Sequence, residues 1–306
     1  MTRHARLMAL AGGACVLLAA GAEAAPDTYV ATWGRNTWPC TRVLPCRTFS
    51  RALAVTDAQG SITALDSGRY DTAFVDVRRS VTLAAAPGVR AELTSTGGGI
   101  YVNAAPGDVV TLRNLTLRGQ DTPPNNAIIF NGGDALHVED CLVYGWPTKG
   151  ILALGAPGRL LFVSGSTFRD NYVGVAIDAA VTGAIERTRF DHNTFGLSVT
   201  VRGKATVKDS AATGNGDAGF LSSGFGANNF TELNLEGVVA TANGTGVRAE
   251  GFSFGSGLVR ISNSTVTGND TGLRVGPAGG IETRGNNTVA GNALDVDGPL
   301  TPLAPR

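Results

Sequence analysis

From about Val109 onward, apolar and polar residues alternate in short runs closed by glycine, asparagine or aspartate. Residues 110–119, 136–145 and 161–170 share one plan: two brief alternating stretches meeting at a small-residue corner. Alternation with a period of two predicts strands buried on one face. A further strand is predicted after each asparagine turn, at 150–154, 174–177, 196–199, 246–249 and 272–275. Earlier alternating stretches at 62–65, 74–77, 81–83, 89–93 and 99–102 extend the pattern toward the N-terminus.

The units repeat. Asn171, Asn193, Asn215, Asn243, Asn269 and Asn292 follow one another at intervals of 22, 22, 28, 26 and 23 residues. Such periods mark a solenoid whose units bury their apolar faces on their neighbours. Three short strands per repeat predict an all-β, three-faced, right-handed parallel β-helix, with coils roughly 4.8 Å apart. Aligning the repeats gives an apolar inward column of Leu117, Val143, Phe168, Phe190, Ala212, Ala240, Val266 and Val289. A second inward column, of mostly small residues, holds Cys141 with Leu115, Ser166, Thr188, Ser210, Val238 and Ser264, which makes Cys141 a buried, inert thiol. The asparagines are read as a structural ladder of stacked amides, at turns where this residue tolerates left-handed backbone.

At the start, Arg3 and Arg6 precede an apolar run closed by Ala22, Glu23 and Ala24. This is the form of a secretory signal peptide, cleaved near Ala24, so the chain is expected to be secreted or periplasmic without membrane insertion. Residues 25–60 are assigned to an irregular entry segment and a short capping helix with Thr48 as its N-cap and Phe49, Ala52 and Leu53 on one face. Residues 61–298 are assigned to the β-helix and 299–306 to a tail. Export makes a Cys40–Cys46 disulfide the expected pairing; metal binding by these cysteines lacks further Cys or His partners nearby.

The capping helix, the stretch from Gly60 to Tyr70 and the asparagine-turn coils resemble the right-handed parallel β-helix repeat proteins of the pectin-lyase-like superfamily. That superfamily includes pectate lyases, polygalacturonases and alginate-modifying enzymes, and the likeness spans about residues 46–295. It implies the fold strongly and the chemistry weakly, because one fold hosts many functions. The acidic motif series of polygalacturonases is absent from this sequence. The resemblance also raises calcium, but no compact acidic cluster supports it, and no metal or other cofactor is assigned.

Removing the leader leaves 23 basic against 24 acidic residues, so no excess charge favours nucleic acid. Two groups could do acid–base work: Arg248, Glu250 and Arg274 on third strands, and Asp170, Asp191 and His192 at adjacent turns. Each has an alternative reading as surface or turn charge. Asp178 and Glu250 fall about three coils apart, roughly 14 Å, too far for a glycosidase pair. An outward column of Arg113, Glu139, Ser164, Glu186, Lys208, Glu236 and Ser262 reads as cross-strand charge pairing, and His137 as structural, near a corner.

The longer repeats carry Phe225, Asn228, Asn229 and Phe230 in one insertion and Phe252 and Phe254 in the next. These could form a sugar-binding lip, or rings packed on one another to hold the loops down. The leading functional expectation is an exported β-helix that engages polysaccharide, a cell-surface glycan or another extended ligand. A polysaccharide lyase or glycoside hydrolase and a purely structural or adhesive solenoid are the alternatives. Oligomeric state is not encoded in these patterns.

Overall fold

The structure is a computed structural model that describes residues 25–71, 73–94, 99–119 and 125–303. The leader assigned to residues 1–24 lies outside the described residues, as do the last three of the expected tail.

Among the described residues three parallel sheets of twelve, ten and ten strands wrap one core. From Thr56 onward the chain visits the three faces in the same order on each coil; strands Val109–Arg113, Leu115–Arg118 and Ile128–Gly132 are one example. Register follows the repeat alignment: Val143 pairs with Leu117 and Phe168, Phe190 with Phe168 and Ala212, and Ala240 with Val266. Every member of that column through Val266 is buried. Phe168 and Phe190 stack at 5.9 Å between ring centroids, and Phe220 meets Phe190 edge-on at 6.1 Å.

Two corners of each coil are tight, and both use the same device. One residue adopts left-handed backbone and the next points inward, where a polar side chain can hydrogen-bond along the axis. At the corner between second and third faces, the left-handed residues are Asp170, His192, Gly214, Ala242, Gly268 and Gly291. The ladder asparagines follow them, so the left-handed geometry expected at the asparagines sits one residue earlier. The reason is that each asparagine is occupied otherwise: Asn171 donates its backbone N–H (3.0 Å) and side-chain amide (3.1 Å) to Asn193 Oδ1, and the pattern repeats to Asn292. The corner between first and second faces pivots on Asn114, Asp140, Gly165, Arg187, Asp209, Gly237 and Asn263. There Ser166, Ser210 and Ser264 accept from the backbone N–H of Cys141, Thr188 and Val238 in the preceding coil, each at 3.1 Å. Cys141 is buried in this column, and burial pushes its thiol pKa up to about 12.

The solenoid extends beyond the expected boundaries at both ends. Ala25–Val30, within the stretch taken as irregular, is a strand paired with Thr56–Ala64. Leu300–Pro302, within the expected tail, pairs with Gly279–Thr283 and is the last strand of the first face. Cys40 and Cys46 are joined by a disulfide. Helix Phe49–Leu53 is capped by Thr48, whose hydroxyl accepts from Arg51 N–H, and buries Phe49, Ala52 and Leu53. It packs against the first strands of the first and third faces. Asp71 supports its first turn by accepting from the N–H groups of Phe49 (2.9 Å) and Ser50 (3.3 Å).

Candidate functional site

The third corner, where the chain returns from third face to first, varies in length, and it leads into the strands of the first face. Strand Phe230–Glu236 buries Thr231, Leu233 and Leu235 in the interior, leaving Phe230, Glu232, Asn234 and Glu236 outward as a two-residue alternation requires. Cross-strand register sets Arg260 beside Asn234 and Glu282 beside Arg260. Arg260 is the centre of the cluster: it bonds Glu282 Oε2 through Nε at 2.6 Å and Asn234 Oδ1 through Nη1 at 3.3 Å, and pairs with Glu232. Lys204 lies 3.6 Å from Glu232.

These contacts fix the charge states. Burial acts to raise the Glu232 pKa, but the hydrogen bond and charge of Arg260, helped by Lys204 and Asn234, hold it below the ordinary value. Glu236 is held below the ordinary carboxylate value chiefly by donation from Ser262 and Asn263. Asn234, Glu236, Arg260, Ser262, Asn263 and Arg284 line a cleft of about 500 Å³. The cleft presents the Glu236 carboxylate, amides and guanidinium groups, a set that accepts from and donates to hydroxyls, and Glu232 lies beside it on the same strand. With both carboxylates bound to donors, neither is poised to give up a proton.

The two insertions of the longer repeats lie side by side. The extra residues chiefly lengthen strands: Ala218–Phe225 and Thr245–Phe252 each run eight residues, and Phe225 is the register partner of Phe252. Phe225, Phe230, Phe252 and Phe254 are exposed by 63, 62, 43 and 91%. Among the described residues none of these four rings pairs with another aromatic ring, so they do not hold the turn together by stacking. The turn is held by main chain instead: Gly226 and Gly255 donate to Phe252 O at 3.0 Å, and Ser256 to Asn229 O at 3.0 Å. Asn229 donates its amide to Phe225 O, and Asn228 takes left-handed backbone, so both asparagines shape the turn.

The other candidate groups are engaged elsewhere. Arg248, on the third face with its side chain only 14% exposed, binds Asp217 Oδ1 at 2.8 Å and lies 3.5 Å from Glu250. It also caps the Phe195 ring at 5.8 Å. Arg274 is its register neighbour but pairs with Asp297 at 3.4 Å, not with Glu250. Asp170 pairs with Arg169 at 2.5 Å, and Asp191 with Arg189 at 3.1 Å. No hydrogen bond among the described residues joins His192 to either carboxylate. Asp170 and His192 stand at left-handed pivots, positions filled by Gly214, Gly268 and Gly291 in later coils. His137 lies mid-strand on the outward side of the first face rather than near a corner, and it stacks on Phe162.

Sequence reading passed over Glu232, Asn234, Arg260, Glu282 and Arg284. The outward column containing Glu236 was visible in the repeat alignment. The cluster itself spans two further columns of the same face, and a comparison of all three would have brought Glu232 and Arg260 together. Among the described residues no group of three or more His, Cys, Asp or Glu side chains is gathered as a metal site requires, and no helix is long and apolar enough to cross a membrane.

Residues 98–294 match the family model described as the right handed beta helix region, and the chain belongs to that family. Among solved structures it is similar to the A-module of the Azotobacter vinelandii mannuronan C-5 epimerase AlgE6, with a TM-score of 0.63 at 18% identity over 76% of this chain and 68% of that one. It is also similar to pectate lyase Pel9A, with a TM-score of 0.58 at 15% identity over 90% of this chain and 79% of that one. At these identities the likeness concerns the fold. No curated protein sequence matches the chain.

Proposed function

We propose that this is an exported β-helix protein that holds a polysaccharide against its first face, with the phenylalanine lip as the edge of the binding surface. One observation carries the reading. Phe230, Glu232, Asn234 and Glu236 lie on the outward side of a single strand, spanning about 20 Å from exposed ring to cleft. Aromatic rings give sugars an apolar platform, and charged or amide groups beside them bond hydroxyls. The neighbouring folds in an epimerase acting on mannuronan and in a pectate lyase support polysaccharide as the ligand class. The disulfide supports an oxidising compartment. Binding is preferred to catalysis because Glu232 and Glu236 are fully engaged by donors.

Affinity electrophoresis of the chain lacking residues 1–24, through gels cast with neutral or acidic polysaccharides, tests this. Retardation by at least one polysaccharide is expected. It should fall at least tenfold in the Phe225→Ala/Phe252→Ala variant, with the melting temperature little changed. Equal retardation of that variant and the parent, or none of either, overturns the reading. Release of unsaturated products or reducing ends during the same incubation would assign a lyase or hydrolase instead.

A further inference from the structure

A second feature of the first face lies toward the N-terminal end of the Arg260 column. In register order the column runs Thr111, His137, Phe162, Ala184, Thr206, Asn234, Arg260 and Glu282. The His137 and Phe162 rings are stacked, with centroids 4.6 Å apart and planes inclined by 15°. That separation matches the rise from one strand to the next, roughly 4.8 Å, so the rings lie across the axis like rungs. The stack then stops. The next two positions are Ala184 and Thr206, both small and exposed. One face of Phe162 is covered by His137 and the other looks onto a step two rungs long.

The step is a cleft of about 460 Å³ whose lining includes His137, Phe162, Ser164, Glu186, Thr206 and Lys208. Its composition is divided: an aromatic wall and the Ala184 methyl are apolar, whereas Ser164, Glu186 and Lys208 line one side with hydroxyl, carboxylate and ammonium groups. Among the described residues no carboxylate comes within ion-pair distance of Lys208, which leaves its donors available. A ring occupying the rung above Ala184 would stack on Phe162 as Phe162 stacks on His137, with its edge against that polar side.

We infer that Phe162, Ala184, Glu186 and Lys208 form a subsite for one pyranose ring of a bound glycan. A pyranose has the matching division, with C–H groups on its flat faces and hydroxyls around its rim. A wholly aromatic ligand would stack equally well but leave the polar side unused. The inference rests on the polysaccharide reading and places one sugar unit within it, on the column that ends at Arg260.

Saturation-transfer NMR tests the subsite with methyl β-glucopyranoside, methyl β-galactopyranoside, methyl β-xylopyranoside and benzyl alcohol as probes. At least one glycoside is expected to receive saturation at its ring C–H protons. The measurement is made in the Phe225→Ala/Phe252→Ala background, so that the lip contributes nothing, and the effect should fall at least tenfold when Phe162→Ala is added. Ala184→Phe supplies a control that adds a ring rather than a cavity: it should extend the aromatic stack, keep the melting temperature and abolish glycoside saturation. Undiminished saturation in either Phe162→Ala or folded Ala184→Phe overturns the subsite, as does a response confined to benzyl alcohol. Absence of glycoside saturation while polysaccharide retardation persists removes this subsite and leaves the lip standing. Absence of both removes the polysaccharide reading with it.

Discussion

Asn193 Oδ1 accepts both the backbone N–H and the side-chain amide of Asn171, one coil away, at 3.0 and 3.1 Å. The same side chain donates to Phe168 O at 3.0 Å and to Asn215 Oδ1 at 3.1 Å. Asn193→Ala leaves the buried Asn171 N–H and Phe168 carbonyl without these partners. Each orphaned buried group costs about 1–3 kcal/mol, so a loss of about 3 kcal/mol is expected, read from urea denaturation. A loss below about 1 kcal/mol would mean that water replaces the ladder.

Ala242 occupies the left-handed pivot before Asn243 with φ at 56°, where the coils on either side use Gly214 and Gly268. A Cβ in this conformation costs about 1–2 kcal/mol, partly offset by the smaller freedom of alanine in the unfolded chain. Ala242→Gly is therefore expected to stabilise the protein by up to about 1 kcal/mol and to raise its melting temperature. A fall in melting temperature would show that the Ala242 methyl packs more favourably than its backbone is strained.

Acid stability should depend on the first-face carboxylates. Glu232 and Glu236 are held below their ordinary value of 4.5, so the unfolded chain binds protons at these sites more tightly than the native one. Their stabilisation is present above about pH 4.5 and is lost as pH falls through the lower native values. Asp71 acts in the opposite sense: burial raises its pKa, so its contribution is present below the ordinary value of 3.8 and is lost as pH rises through the native one. Urea midpoints measured from pH 7 to pH 3 should fall less steeply in Glu232→Gln/Glu236→Gln than in the parent. Parallel curves would show that these carboxylates do not carry the acid transition.

Arg248 pairs with Glu250 on its own strand and with Asp217 at the turn before the neighbouring strand, while covering Phe195. Its role there is to neutralise and pack. Arg248→Gln should destabilise by about 2 kcal/mol, within the range for a hydrogen bond to a charged group. Polysaccharide retardation should stay unchanged. Loss of retardation at full stability would transfer binding to the third face.

The strand pattern and asparagine spacing made the coil readable, because a residue at fixed depth recurs on every turn and side chains alternate by two. The apolar column from Leu117 to Val266 and the Cys141 column follow from that regularity, and the capping role of Thr48 follows from its hydroxyl just before an apolar helical face. Regularity also misled. Asn171 and its equivalents look like the left-handed residues because they recur, yet Asp170 and its equivalents carry the strained backbone and vary in identity. Strand Ala25–Val30 was hidden because its partner strand Thr56–Ala64 lies across the disulfide loop and helix, outside any repeat. Arg260 was missed because Glu232, Asn234 and Glu282 meet it from strands 22 to 28 residues away. Its chemistry exists only when neighbouring columns are read together.

The asparagine ladder also has a direction. Every side-chain amide from Asn171 to Asn292 sends one N–H to the next acceptor toward the C-terminal end, receives at its oxygen from the other side, and returns its second N–H to a carbonyl of the preceding coil. The amides are thus dipoles in series, each polarising the next, with the positive end emerging at the last coil. There the acceptor is Asp295, whose Oδ1 takes the Asn292 backbone N–H at 3.0 Å and side-chain amide at 2.9 Å. An anion with no proton to donate is the natural terminator for such a line, as a carboxylate is at the N-terminus of an α-helix. The ladder is therefore asymmetric end to end. A coil inserted within the ladder must pass the polarity on, and only the final one can stop it with a charge.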